Sequence, residues 1–532
     1  KGTRPVPCVT ARGTFFIMMM SSSTVLVARS PTPSRRRPCV AARSIVERQA
    51  VTAARGPRVV PQPQPVWPVL GNLPQLEFDV MRIPAQVAKL YGEMGTNTMR
   101  VALFSNAVAV RTRSYPDALR VLQWPKEMQK RKGIGLGVLQ EFLGEGLASI
   151  DSSNPSYKRL LEVMNPSFRK VTTDAMLSDF AAVGGRMVDT IRQVAGPGGG
   201  EVDMQAVAGA ATVDSIGLLH FRTDLGQLGR VLRGPMSADL DEGDVPAMMN
   251  DITREAQMLM LPGLLNPGLT RVLPGYARYR DAISRLDALI ERVVQGRRSQ
   301  GFRDEDRDVL GAILQAQDAE DGDWLTRDLV RDQLTTLFFA GSDTTASTVA
   351  WCLYELSKNQ EAQRALRDEV GKQLADAGGD PAKVTAKMLD ACPLLAGCMK
   401  ETLRVYPPAP VIMRDAPDDE VVDGYLVPKG QAIVIDIYGL HRRPDLFPEP
   451  DRWLPERWTE GGRHAPADAK ALIPFAPGPR SCIGRYFAER ETQLFLCILV
   501  AGFEWTSSQE PDIAHAVTIT SLNGIHLNAR PI

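Results

Sequence analysis

Near the end of the 532-residue chain, the stretch FAPGPRSCIG sets one cysteine, Cys482, between Gly478 and Gly484 and two residues after Arg480. No other feature narrows the fold as far. The flanking glycines permit close backbone approach to a flat or bulky body, and φ angles that other residues avoid. Arg480 carries a fixed, planar charge suited to a carboxylate. The residues that follow, IGRYFAERETQLFLCILV, have helical periodicity. The thiol is therefore predicted at or just before a helix N-terminus, where backbone N–H groups and the macrodipole favour a thiolate. The seven cysteines are odd in number and form no CxxC pair, which argues against a disulfide framework and a zinc ribbon, and for a reducing compartment. The five histidines have no HExxH spacing.

A thiolate on a glycine-lined loop beside a carboxylate-binding arginine fits a haem iron ligand. Phe475, Gly478, Arg480, Cys482 and Gly484 together spell FxxGxRxCxG, a frame that an inert core thiol does not need. On these residues the chain resembles the cytochrome P-450 family, the haem-thiolate monooxygenases, from about Pro61 to the C-terminus. The resemblance implies that Cys482 is the axial ligand of haem b, that Phe475 and the two glycines bound the haem, and that Arg480 pairs with a propionate.

Further motifs carry the same resemblance. AGSDTT, Ala340 to Thr345, lies in a long apolar helical stretch. Gly weakens a helix and Thr can bond back to a carbonyl, so the ladder is expected to open there. Alone, the fragment reads equally as a helix with one polar turn. The resemblance places it across the distal haem face, with Asp343 and Thr344 as proton carriers. In KETLRVYPPAP, Glu401 and Arg404 stand at i and i+3 on a helix that Tyr406-Pro407-Pro408 terminates. The resemblance joins this pair to Arg457 of FPEPDRWLPERW as a structural triad holding the cysteine loop, and makes Arg414 a second propionate partner. The chain departs from the pattern in NPSYKRLLEVMNPSF, where Tyr157 and Leu161 stand at the usual tryptophan and arginine positions. Arg159 is a candidate substitute.

The rest of the chain reads as mainly α with a minor, late β region, a single large haem-enclosing domain over residues 75–532. Residues 61–74, PQPQPVWPVLGNLP, read as a stiff Pro-rich hinge. Residues 1–60 carry eleven basic side chains against one acid, Glu47, and resemble an organellar targeting leader. Met18, Met19 or Met20 is the expected start, which leaves residues 1–17 upstream of it. The apolar run FFIMMMSSSTVLVA, at fourteen residues, falls short of the roughly 20 that a spanning helix needs. Residues 61–532 hold 51 bases and 61 acids, which does not favour nucleic-acid binding.

The resemblance implies insertion of one oxygen atom from O2 into a lipophilic small molecule. Sterol, fatty acid, terpenoid and carotenoid all stay open. No flavin or nicotinamide fingerprint is present, so a separate ferredoxin-type or reductase donor is expected, and Lys400, Arg485 and Arg490 are candidates for its docking patch. Peripheral membrane association is also admitted. The expected location is the mitochondrion, with the plastid or another membrane as alternatives. Rival readings are a haem-thiolate isomerase or lyase, against which Asp343–Thr344 weighs, a non-catalytic haem-binding protein, and a cysteine hydrolase using His441 or His464. Pocket residues are expected from Phe338–Phe339, Val411–Met413 and 518–524.

Overall fold

The computed structural model describes residues 58–532 apart from 78, 80, 105–107, 125–136, 233–242, 304–305 and 516. The expected leader, through residue 57, lies outside the described residues. The described residues all belong to one compact unit, and they are mostly helical with small sheets, as the sequence predicts. Among them no helix is long and apolar enough to cross a membrane.

Five helices bound the site. They are α1 (Pro155–Met164), α2 (Met204–His220), α3 (Arg327–Lys358), α4 (Pro393–Val405) and α5 (Arg485–Gly502). Their ends follow from local chemistry. Asn154 accepts from the Ser156 N–H ahead of Pro155, and Asp203 accepts from the N–H groups of Gln205 and Ala206. Thr326 Oγ accepts from the Leu329 N–H at 3.1 Å. Each satisfies a first-turn donor that has no partner inside the helix. α4 starts on Pro393, whose missing N–H costs nothing at that position, and stops at Tyr406.

α3 is the spine of the core. Trp351 is fully buried and stacks on Tyr406 at 4.3 Å and 5°, while the Tyr406 hydroxyl donates to Glu355 at 2.5 Å. The end of α4 is thus fastened to the second half of α3. The expected opening of α3 at AGSDTT does not occur: the helix runs unbroken from Arg327 to Lys358. The hydroxyls bond back instead, Ser342 to Phe338 O at 2.5 Å and Thr344 to Ala340 O at 2.8 Å. Gly341 lets α2 approach closely: a Cβ there would lie 2.1 Å from Ile216 Cδ1, and that side-chain end would have to turn aside.

The largest sheet runs β1 (Thr98–Ala102), β2 (Val108–Thr112), then β4 (Ala432–Asp436), then β3 (Val411–Asp415). Only the β2–β4 pairing is parallel, with Val110 opposite Ile433. All five residues of β4 are buried, which fits the apolar run Ala432 to Ile435, and the fifth, Asp436, is paired with Arg111 at 3.2 Å. Near the C-terminus β5 (Ile513–His515) and β6 (Ile519–Ser521) form an antiparallel hairpin. The Pro-rich segment lies along β1, where the Arg100 N–H donates to Pro61 O at 2.8 Å and the Ala102 N–H to Asn72 Oδ1 at 3.1 Å.

Candidate active site

The cysteine loop is shaped by its own backbone. The Cys482 N–H donates to Phe475 O and the Ser481 N–H to Gly478 O, both at 3.0 Å. Gly478 has φ +114°, and a Cβ on it would lie 2.2 Å from Leu122 O, so only glycine fits. Helix α5 begins at Arg485, three residues past the cysteine. The thiol is exposed only in the sense that it faces an internal cavity of about 400 Å3. Burial pushes it up from its ordinary pKa, against the Gly484 backbone N–H and the Arg485 charge, which favour the thiolate.

α3 crosses the same cavity, placing Thr336, Leu337, Ala340, Gly341, Thr344, Thr345 and Thr348 on its wall with Phe475, Arg480, Cys482 and Gly484. The structure thus brings most of the sequence-selected residues to one space. Asp343 is not on that wall. It turns to the C-terminal hairpin, where the Thr518 hydroxyl donates to its Oδ2, and burial pushes its carboxyl up.

Two arginines meet without an acid. Arg480 Nη2 donates to Ile150 O at 2.7 Å, its guanidinium lies 4.2 Å from the Tyr157 ring centre, and its Nη1 is buried with no partner. Arg414 is buried on β3 and donates to Met413 O at 2.9 Å. Burial first, and the neighbouring Arg480 charge second, push it down to about 10. Two close cations, one of them with a buried donor unfilled and neither with an acid beside it, call for an anionic group at the cavity. A haem fits this space: carboxylates for the two arginines, a thiol for the iron, and a glycine-bounded loop against a flat face. Tyr157 stands by Arg480 and donates to Pro479 O at 3.3 Å. Leu161 lines the cavity. The suggested substitute does not serve: Arg159 pairs with Asp321 and stacks on Trp324 at 4.4 Å.

Glu401, Arg404 and Arg457 form a closed, fully buried cluster. Arg404 makes two 2.9 Å bonds to the Glu401 carboxylate, and Arg457 Nε makes another at 2.9 Å. Trp458 Nε1 and the Leu454 N–H fill its remaining acceptor positions. The surplus positive charge is taken up by carbonyls, those of His441, Pro450 and Arg452 for Arg404 and those of Pro448 and His464 for Arg457.

Other expectations change. Arg490, a docking candidate, is 5% exposed and bonded to Asp174 and Asp390. Lys400 and Arg485 are exposed, Arg485 pairing with Glu489 at 2.9 Å. His441 accepts from the Ile473 N–H at 3.0 Å and His464 pairs with Glu449, so neither serves a cysteine hydrolase. Of the expected pocket residues Ile412 lines the cavity, whereas Phe338 is buried behind the wall and Phe339 packs on Phe142 at 5.8 Å. Sequence reasoning missed Ile216, Phe168 and His220, which line it from α2 and the turn after α1. Glu491, also missed, is buried with no well-formed hydrogen bond, faces the Ser215 and Thr345 hydroxyls, and is pushed up to about 8 by burial.

Comparison with known proteins agrees with this geometry. Residues 61–527 match the cytochrome P450 family. The chain is 27% identical over 435 residues to cytochrome P450 4F12 of Homo sapiens, covering 79% of this chain and 80% of that one. It is 29% identical to human cytochrome P450 4F11, covering 77% and 76%. A shorter match, 36% over 229 residues and 42% and 44% of the two chains, is to the taurochenodeoxycholic 6 alpha-hydroxylase of Sus scrofa. These relatives correct the expected location: they are endoplasmic-reticulum membrane enzymes of the cytochrome P450 4 series, not mitochondrial ones, and the reading of residues 1–60 as a transit peptide loses its support. Enzymes of this kind bind haem and use O2, a lipophilic substrate and a reductase partner. The chain belongs to the cytochrome P450 family and is a haem-thiolate monooxygenase.

Proposed function

We propose that Cys482 holds the iron of haem b in this cavity and that the enzyme hydroxylates an uncharged, lipophilic molecule bound against α3. The observation that carries the reading is the meeting of Cys482, Arg480 and the α3 threonines around one space of about 400 Å3, with the buried Arg414 close to Arg480. When bound, the thiolate-ligated haem supplies oxygen activation. The chain's own residues do the rest. Arg480 and Arg414 anchor the two carboxylates. Phe475, Gly478 and Gly484 bound the ring, and the Glu401–Arg404–Arg457 cluster holds the segment leading to the loop. Thr344 presents a hydroxyl to the cavity, and Asp343, beside it on α3, holds the proton to be delivered. The wall above the thiol is formed by Leu337, Ala340, Ile216 and Leu147 with threonines between them. It excludes water and offers no charge to a substrate, which favours a neutral lipid over a polar metabolite.

The haem domain is read as residues 75–532, with 61–74 leading into it. A reductase is the favoured electron donor, because the ferredoxin reading depended on a mitochondrial address. Peripheral membrane contact is supported by an apolar surface. Trp67, Val69 and Leu70 are exposed beside Leu73, which packs with Leu264, and Leu269 and Val272 are exposed just beyond.

The deciding experiment is the carbon monoxide difference spectrum of the dithionite-reduced protein beside Cys482→Ser, followed by turnover under labelled O2 with a reductase. A strongly red-shifted Soret band lost in the variant, and one labelled oxygen in the product, are expected. A haem-loaded wild type without that band overturns the assignment of Cys482.

A further inference from the structure

One face of α3 is fastened to the β5–β6 hairpin by three side chains spaced four residues apart. The Thr518 hydroxyl donates to Asp343 Oδ2. Ser347 Oγ donates to Ile519 O at 2.7 Å, and Trp351 Nε1 donates to the same carbonyl at 3.4 Å. Positions 343, 347 and 351 share a helix face, so two consecutive hairpin residues grip two turns of α3. The grip continues to the cavity: the Ile519 N–H donates to Pro408 O at 3.3 Å, and Pro408 lines the wall. Residues 518–521 themselves are not on that wall.

Around Asp343 the chemistry is sparse. No charged side chain from α2, α3 or the hairpin acts on its carboxyl among the described residues. Two influences oppose each other, burial pushing the carboxyl up and the Thr518 hydroxyl pulling it down. A buried carboxylate with one donor depends on that donor for its anionic form.

We propose that Thr518 is a positioning residue for proton delivery, holding the Asp343 carboxyl through its hydroxyl and tying that carboxyl to the place of the hairpin. The inference rests on the reading of Asp343 as the acid. In each cycle Asp343 gives its proton toward the cavity through the Thr344 hydroxyl, and the carboxylate left behind takes the Thr518 hydrogen bond. A solvent proton then restores it, so no electrons move in this step. Thr518 touches no reacting atom; it sets where the carboxyl points and how readily it gives up its proton.

The test uses the full chain loaded with haem, as wild type, T518V, T518S, D343N and D343N/T518V, each with its haem content measured. Infrared titration follows the protonated carboxyl band of Asp343, assigned by its loss in D343N. Its midpoint is expected to rise by about one pH unit in T518V, the loss of one hydrogen bond to a charged group, and to return in T518S. Product formed per electron pair is expected to fall about tenfold in T518V, with the balance appearing as peroxide, and to recover in T518S. In the D343N background T518V should add nothing. A T518V protein with an unchanged midpoint and unchanged coupling overturns the role of Thr518. So does an equal loss with and without Asp343, which marks the hairpin as structural. A fully coupled D343N would remove the reading of Asp343 itself, and the delivery role with it.

Discussion

Arg457 Nε lies 2.9 Å from Glu401 Oε1, with both side chains wholly excluded from solvent. The bond joins α4 to the segment Phe447–Trp458, and the same carboxylate holds Arg404. Neither arginine touches the cavity. Removing one charge from such a cluster leaves the others buried and uncompensated, at about 3–5 kcal/mol. Glu401→Gln should therefore give protein that loses haem and melts early, by haem content and calorimetry. A variant with wild-type melting would show that the carbonyls alone suffice.

Arg414 and Arg480 predict opposite effects in the two states of the protein. Without a bound anion they repel each other, and Arg414 is pushed down to about 10 by burial and by Arg480. Arg414→Leu should stabilise the haem-free protein. With haem bound, each arginine loses a charged hydrogen bond when replaced, so haem affinity should fall about tenfold or more per arginine. Denaturant melts of both forms, with haem-transfer rates, check this. Equal effects in the two forms would exclude propionate pairing.

His220 gives a pH test. It is buried between Phe168 and Phe487 at 4.5 and 4.6 Å, with neither ring nitrogen bonded. Burial pushes it down from the ordinary 6.5 to about 3. The unfolded state therefore takes up a proton that the folded state refuses as pH falls from 6.5 toward 3, and stability falls with it. At pH 5 the penalty is about 2 kcal/mol. His220→Leu should stabilise the protein more at pH 5 than at pH 8, by urea melts. A pH-independent effect would mean that the imidazole is solvated or paired.

Gly478 tests the cysteine loop. Its φ of +114° and the closeness of Leu122 O make any side chain strained there. Gly478→Ala should cost about 1–3 kcal/mol and broaden or shift the carbon monoxide band, because the loop that aims Cys482 must move. An unshifted band at full haem content would show that the loop tolerates the change.

The cysteine loop, the Glu401–Arg404 pair and the helical course of α3 were legible in the sequence because each is local. A glycine that must turn, a cap or a proline at a helix start acts within a few residues, so its signal survives in the linear chain. Where those pieces point was decided only by the tertiary structure. Arg490 reads as an exposed base and proves to be bound by Asp174 and Asp390 from other segments. Arg159 is two residues from Leu161, where the pattern expects an arginine, but turns to Trp324. His220, the Arg414–Arg480 pair and the Thr518 bond to Asp343 all join segments far apart in sequence. Such contacts follow from how helices and sheet close on one another, a sum of many burials that no short pattern encodes. The sequence by itself determined which atoms could carry the chemistry, and the packing decided which of them face the cavity and with what charge.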